Sequence, residues 1–182
     1  MDKEWISIMK RTGRIKLSWW DLFTHYLIVP FLLMPLIFVS IDWMKYLITG
    51  EYTGVRTFKE MFIFNIPFSI LAIAFYFIQY NRLNFKTIRT SISNDLIQEA
   101  INTTASELEW VSLINTKNYK VYKTFPKWYT GSWGEQITVI LDNDKVMINS
   151  ICDPDKRASV VSVGRNRKNM QRLIDKIENA SR

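Results

Sequence analysis

Two stretches of this chain run hydrophobic without a charged residue: Leu22 to Ile41 and Met61 to Asn81 contain no Asp, Glu, Lys or Arg. They are 20 and 21 residues long. At about 1.5 Å per residue, a helix of either length reaches about 30 Å, the hydrocarbon thickness of a bilayer. Two helices that are apolar all round exceed what the rest of the chain could cover in a water-soluble fold. The pattern predicts a transmembrane hairpin over residues 21–82, with spans at about 22–41 and 61–81. The first block is longer than the apolar core of a signal peptide and runs into IDWMKY, without a small-residue cleavage site, so it is expected to stay in the mature chain.

Aromatic rings mark the block ends as an interfacial belt does: Trp19, Trp20 and Tyr26 at one boundary, Trp43 and Tyr46 after the first span, Tyr76 and Tyr80 near the end of the second. Lys3, Lys10, Arg11, Arg14 and Lys16 precede the first span, and Arg82, Lys86 and Arg89 follow the second. The connecting segment balances Lys45, Arg56 and Lys59 against Asp42, Glu51 and Glu60. The positive-inside bias then predicts a plasma (inner) membrane protein with both termini cytoplasmic.

Counted from the ends of an antiparallel hairpin, His25 and Gln79 fall at about the same depth and form a candidate intramembrane polar contact. Pro30, Pro35 and Pro67 predict kinks, with freed carbonyls for which Ser40 and Asn65 are nearby donors. Neither block carries an ionised group at its middle, which argues against an ion or proton path through this chain alone. Helix packing, with further membrane subunits, is the expected role of these polar residues.

From about residue 90 to 182 the pattern turns polar and periodic. Ser93 or Asn94 as N-cap, with Asp95 in the first turn, opens a helix carrying Leu96, Ile97, Ala100, Ile101, Thr104 and Leu108 on one face and ending before Asn115–Asn118. Strand-type runs follow at Tyr119–Phe125, Gln136–Leu141, Val146–Ile151 and Ser159–Val163, with LDNDKV as a hairpin loop. A last helix over about Arg165–Asn179 buries Met170, Leu173, Ile174 and Ile177. The expected fold class is α+β: a two-helix transmembrane hairpin followed by a small cytoplasmic α-β(3–4)-α domain, its mainly antiparallel sheet covered by helices on one face. No Gly/Pro/Ser-rich linker separates the two, so NRLNFKTIRT is read as a direct helical continuation of the second span. Residues 1–20 mix Trp5, Ile6, Ile8, Met9, Ile15 and Leu17 with the five cations, which suits a basic amphipathic segment lying on anionic lipid, interrupted at Gly13. A flexible tail whose charges only set topology competes with that reading.

Composition narrows the chemistry. One His and one Cys among 182 residues exclude an intrachain disulfide and a His/Cys zinc cluster. They also argue against Ser-His-Asp or Cys-His catalysis, because the only imidazole sits at the edge of an apolar block. The net charge of +7 is spread along the chain with no nucleic-acid-binding motif, so it suits a membrane surface and no nucleic-acid partner is expected.

The remaining motifs are weak. Asp142, Asn143 and Asp144 begin like a calcium loop but lack the later ligands and the glycine, and read as a turn. Cys152 lies in a short acidic loop with Asp153 and Asp155 and has no His in its domain to activate it. TGSWGEQ lacks the Lys-Ser/Thr ending of a phosphate loop, and its neighbouring rings Trp128, Tyr129 and Trp133 are expected to bury against the sheet. The most suggestive segment opens the last helix: Ser162, Gly164, Arg165, Arg167 and Lys168 place cations where the helix dipole prefers anions, a candidate anion- or partner-binding site.

No catalytic residue, cofactor or metal ligand is assigned. The expected function is that of a nonenzymatic membrane protein, an assembly, anchoring or scaffold subunit whose partners are the lipid bilayer and other membrane or cytoplasmic protein subunits. The alternatives are a membrane-localised binding module for an anionic ligand or lipid headgroup, a membrane immunity or inhibitor protein and, last, an enzyme working through Asp153, Asp155 and an external metal.

Overall fold

A computed structural model describes residues 3–127, 129, 133–156 and 164–181. Six α-helices and one open five-stranded antiparallel sheet lie among the described residues.

The first apolar block is divided. Helix α2 (Trp19–Tyr26) begins at the N-cap Ser18 and ends at Leu27, where α3 (Ile28–Thr49) begins. Pro30 accounts for the break, since it has no N–H for the Tyr26 carbonyl and its ring crowds that turn. In the first turn of α3 the missing donor costs nothing. The helix then passes Ile41, carries Asp42 and Lys45, and stops at Gly50, whose φ of 71° provides a left-handed C-cap. The expected span of 22–41 is therefore shifted toward the C-terminus. Helix α4 (Phe58–Arg82) opens with a capping box: Thr57 N–H donates to Glu60 Oε2 at 2.9 Å and Glu60 N–H to Thr57 Oγ1 at 3.3 Å. Both α3 and α4 are long and apolar enough to cross a membrane.

The two run antiparallel, with Trp43 edge-on to Phe62 and Tyr46 against Phe58. Pro35 and Pro67 lie within continuous helices. The expected rescue of their freed carbonyls, those of Phe31 and Ile63, is not made by Ser40 or Asn65. Ser40 Oγ donates to Leu36 O and Asn65 Nδ2 to Met61 O, each at 2.8 Å. Short side chains reach the carbonyl four residues back on their own helix, and neither proline carbonyl lies there.

Helix α4 does not run on past Arg82. Leu83 turns the chain as the C-cap of α4, and residues 83–85 pair with the segment after α1 (Lys3–Thr12): Ile15 N–H donates to Leu83 O at 2.8 Å and Phe85 N–H to Gly13 O at 2.9 Å. Strand β1 (Lys86–Arg89) follows at once and pairs with β5 (Lys145–Cys152). The sheet order is β1-β5-β4-β3-β2, with β2 at Val111–Asn115, β3 at Tyr119–Lys123 and β4 at Glu135–Asp142. Two of these strands were not expected. The helix α5 (Asn94–Glu107) stops earlier than its pattern suggested, Glu109 turns the chain at φ 54°, and β2 occupies what read as the helix end. The expected strand at Ser159–Val163 lies outside the described residues. The hairpin at Asp142–Lys145 is a two-residue turn with Asn143 at φ 52°, a conformation Asn tolerates.

Period-2 alternation gives the central strands two buried faces. Tyr122, Ile137, Val139, Leu141, Val146 and Ile148 meet Ile97 and Ile101 of α5 and Leu173, Ile174 and Ile177 of α6 (Arg165–Ala180). Leu96, expected on the inner stripe of α5, is exposed, and Ala105 is buried instead. The opposite face, Tyr119, Val121, Ile140 and Met147, is covered by Met9 and Ile6 of α1. Helices therefore lie on both faces, not one. Part of the apolar surface of residues 1–20 is thus spent on protein, with Met9 2% and Ile15 6% exposed, while Trp5, Ile6, Ile8 and Leu17 stay half-buried. Gly13, at φ 66°, reverses the chain so that the segment after α1 returns alongside residues 83–85.

Candidate functional site

Register sets Glu135 opposite Cys152, and Lys123 opposite the neighbouring Gln136, at one end of the sheet. It is the end nearest the hairpin, because Ile151 packs with Leu83, Ile15 and Tyr26. Buried polar groups concentrate there. Glu135 is fully buried, and its carboxylate accepts from Thr124 Oγ1 and from the Arg165 guanidinium, whose Nε lies 3.0 Å away. The Glu135 N–H in turn donates to Thr124 Oγ1 at 2.9 Å. Lys123 lies between Asp153 Oδ1 at 2.6 Å and Asp155 Oδ2 at 2.5 Å. Burial alone would pull the Lys123 ammonium down, but its hydrogen bonds to the two aspartates and their charges outweigh that and hold it above the usual lysine value. Ser150 joins β5 to α6, donating to Asn166 Oδ1 at 3.0 Å and accepting from Asn169 Nδ2 at 3.3 Å.

Arg165 thus has a structural assignment. A cation at a helix start is unfavourable to the helix dipole, yet here it neutralises a fully buried carboxylate, where an unpaired charge would cost several kcal/mol. Gly164 is the N-cap at φ 78° and makes no side-chain cap. Arg167 and Lys168 are exposed and line an open groove with Gln171, Arg172, Glu107 and Asp175, a wall of mixed sign. Ser162 lies outside the described residues. Of the candidate anion set, Gly164, Arg167 and Lys168 thus share one groove wall with Glu107 and Asp175, while Arg165 is turned to Glu135.

His25 and Gln79 do meet. The pair is reciprocal through the backbone: His25 Nε2 lies 3.0 Å from Gln79 O, and Gln79 Nε2 donates to His25 O at 2.6 Å. Arg82 Nη1 donates to Gln79 Oε1 at 3.1 Å. From the other side, Asn149 of β5 donates through Nδ2 to Arg82 O at 2.8 Å and Asn84 O at 2.7 Å. A polar chain thus runs from α2 through the end of α4 into the sheet. The groups in it hold helix ends and a strand in place.

Sequence reasoning missed Lys123, Glu135 and Asn149, all buried in strands. A Lys, a Glu or an Asn at an inward-facing strand position is a visible signal of a buried pair, but its partner, 30 to 67 residues away, is not. Tyr129 and Trp133, expected to bury against the sheet, are 65% and 49% exposed, and Trp128 lies outside the described residues. The sheet face they would cover is already taken by helices. No protein-family model and no functionally curated protein matches this chain.

Proposed function

We propose that the chain is an integral membrane protein whose hairpin of α3 and α4 carries the α+β domain at the cytoplasmic surface, and that it works without catalysis as an assembly, anchoring or scaffold subunit of a larger membrane complex. One observation carries the membrane part. In α4 the buried residues are Asn65, Ala72 and Gln79, whereas Phe64, Ile66, Ile70, Ile73 and Phe77 are each more than half exposed. Polar and small side chains inside with large apolar ones outside is the arrangement expected when the surroundings are lipid and wrong for water. Only 6% and 11% of the most apolar stretches of α3 and α4 are buried within the chain.

Orientation is argued from charge. The cations before α2 and after α4 favour the cytoplasm for both ends. Outer faces of two helices are a large surface, and Asn65 Oδ1 is buried without a hydrogen-bond partner, both of which favour further helices from partner subunits. Against the ligand-binding alternative stands the commitment of Arg165 to Glu135.

The test has two arms. Alkali-washed membranes should retain the chain, and Cys152, the single thiol, should resist an impermeant maleimide in intact cells and react after permeabilisation, with a denatured sample controlling for its partial burial. Affinity purification from gently solubilised membranes should recover other subunits. Release by alkali overturns the membrane reading, and a solitary monomer overturns the subunit reading.

A further inference from the structure

Where α1, the hairpin and the sheet meet, an open cleft of about 550 Å³ is lined by Leu22, Tyr26, Tyr76 and Tyr80 on the hairpin side and by Arg14 and Lys16 on the other. Its aromatic wall is continuous: Tyr26 lies 5.5 Å from Tyr76, which lies 6.1 Å from Tyr80. The two cations meet no carboxylate among the described residues. Arg14 spends one N–H on Tyr80 O at 2.9 Å and stacks 3.4 Å over the Tyr80 ring. Lys16 lies 4.7 Å over the Trp5 ring. The nearest acid in sequence, Asp21, accepts from Ser18 Oγ at 2.6 Å. Beyond the tyrosines the cleft passes onto the exposed apolar surface of α2 and α4, where Leu22, Phe23, Tyr76 and Phe77 are each more than 40% exposed.

We propose that this cleft binds an anionic phospholipid, Arg14 and Lys16 holding its phosphate and the tyrosine wall guiding an acyl chain toward the outer face of the hairpin. The inference rests on the membrane reading above. Two uncompensated cations at a bilayer surface attract anionic headgroups, and a guanidinium fixed by a carbonyl and a ring presents its remaining donors in a set direction. Aromatic side chains at headgroup depth supply the amphipathic lining such a lipid needs. The cleft ties the attitude of the domain to the lipid beside it, since its two walls belong to different parts of the molecule.

The experiment reconstitutes the full chain in nanodiscs of phosphatidylcholine mixed with phosphatidylglycerol, extracts it gently and counts retained lipid by native mass spectrometry. The chain should retain phosphatidylglycerol over phosphatidylcholine. At about 1 kcal/mol per cation near the surface, Lys16→Gln should weaken retention about fivefold and Arg14→Gln with Lys16→Gln about thirtyfold. Because Arg14 also fastens the N-terminal segment to α4, Lys16→Gln alone keeps the test valid should the double variant misfold. Lys117→Gln with Lys145→Gln removes the same charge at the far end of the sheet and should change nothing. Equal retention by Lys16→Gln, equal loss in the distal control, or displacement of the lipid by soluble glycerol 3-phosphate each overturns the proposal. A chain that resists alkali yet shows no preference for phosphatidylglycerol sinks this inference alone, whereas release by alkali sinks the membrane reading with it.

Discussion

Helices α4 and α5 sort their residues in opposite directions. Helix α5 turns Ile97, Ala100 and Ile101 inward and leaves Asp95, Glu99 and Asn102 outside, as a helix on a water-facing domain must. Helix α4 buries Asn65, Ala72 and Gln79, spaced by seven, and turns Phe64, Ile70, Ile73 and Phe77 outward. Both obey one rule, that side chains go where transfer is favourable. On the membrane reading proposed above, the two helices differ in what surrounds them. In the polar seam of α4 the two amide N–H groups are placed locally, Asn65 Nδ2 on the Met61 carbonyl and Gln79 Nε2 on that of His25, while Asn65 Oδ1 has no partner among the described residues.

The largest effect sharpens the water-facing side. Ile137, fully buried between β4 and the α5/α6 layer, should cost about 2–5 kcal/mol when truncated to Ala. Chemical unfolding of the domain in detergent reads that loss, and the alkali-resistant fraction in membranes should not move. A fall in both would mean that the two regions have one stability, not two. Next comes the outer face of α4. Ile70→Arg, at the helix midpoint and 60% exposed, should cost about 3 kcal/mol of insertion and lower the membrane-bound fraction. Leu96→Arg, also exposed but on α5, should stay within about 0.5 kcal/mol. Equal tolerance of the two arginines would end the comparison.

Where local pattern decides structure, the sequence was readable. The N-cap at Ser93, the stripe of α6, the three central strands and the two-residue turn at Asn143 all follow from spacing and turn chemistry. Strands β1 and β2 were not readable: KTIR is four residues with charged ends, VSLIN is mostly exposed and bulged near Ser112, and neither edge alternates. Pro30 was read as a kink, but continuous hydrophobicity hid that the break at Leu27 divides the block into two helices. Packing partners far apart in the chain stayed hidden. Nothing near Met9 points to Tyr119 or Met147, and nothing near Arg165 points to Glu135. The His25–Gln79 level was legible because a hairpin fixes depth by counting, although the bonds formed go to backbone carbonyls.

Asn149 is the junction between the two regions. Its Nδ2 holds the carbonyls of Arg82 and Asn84, the last turn of α4 and the first extended residues after it. Asn149→Ala should cost about 1–3 kcal/mol, since two part-buried hydrogen bonds are lost together. The expected signature is local: faster hydrogen exchange at residues 82–86 with slow exchange kept in β3 and β4. Uniformly faster exchange would place Asn149 in the common core and remove the hinge.

The smallest effect is the response of β3 to alkaline pH. Tyr119 is pushed by burial from 10.0 to about 12, and burial also raises Tyr122. Lys123 is raised too, its two aspartates outweighing its desolvation. For each of these the folded chain holds its proton more tightly than the unfolded chain. Their stabilisation is complete below the unfolded pKa and drains away as pH climbs toward the folded one, so the domain should weaken above about pH 10. Lys120 works the other way. Burial lowers it and among the described residues its ammonium has Asn115 as acceptor and no carboxylate, so its cost to the fold shrinks as pH rises to its unfolded value of 10.5. Lys120→Met should therefore stabilise the domain at neutral pH and steepen the alkaline decline. Urea midpoints across the alkaline range check this. In the Lys120→Met background, Tyr119→Phe with Tyr122→Phe isolates the part due to Lys123, and a decline abolished entirely there would show that Asp153 and Asp155 do not hold its proton.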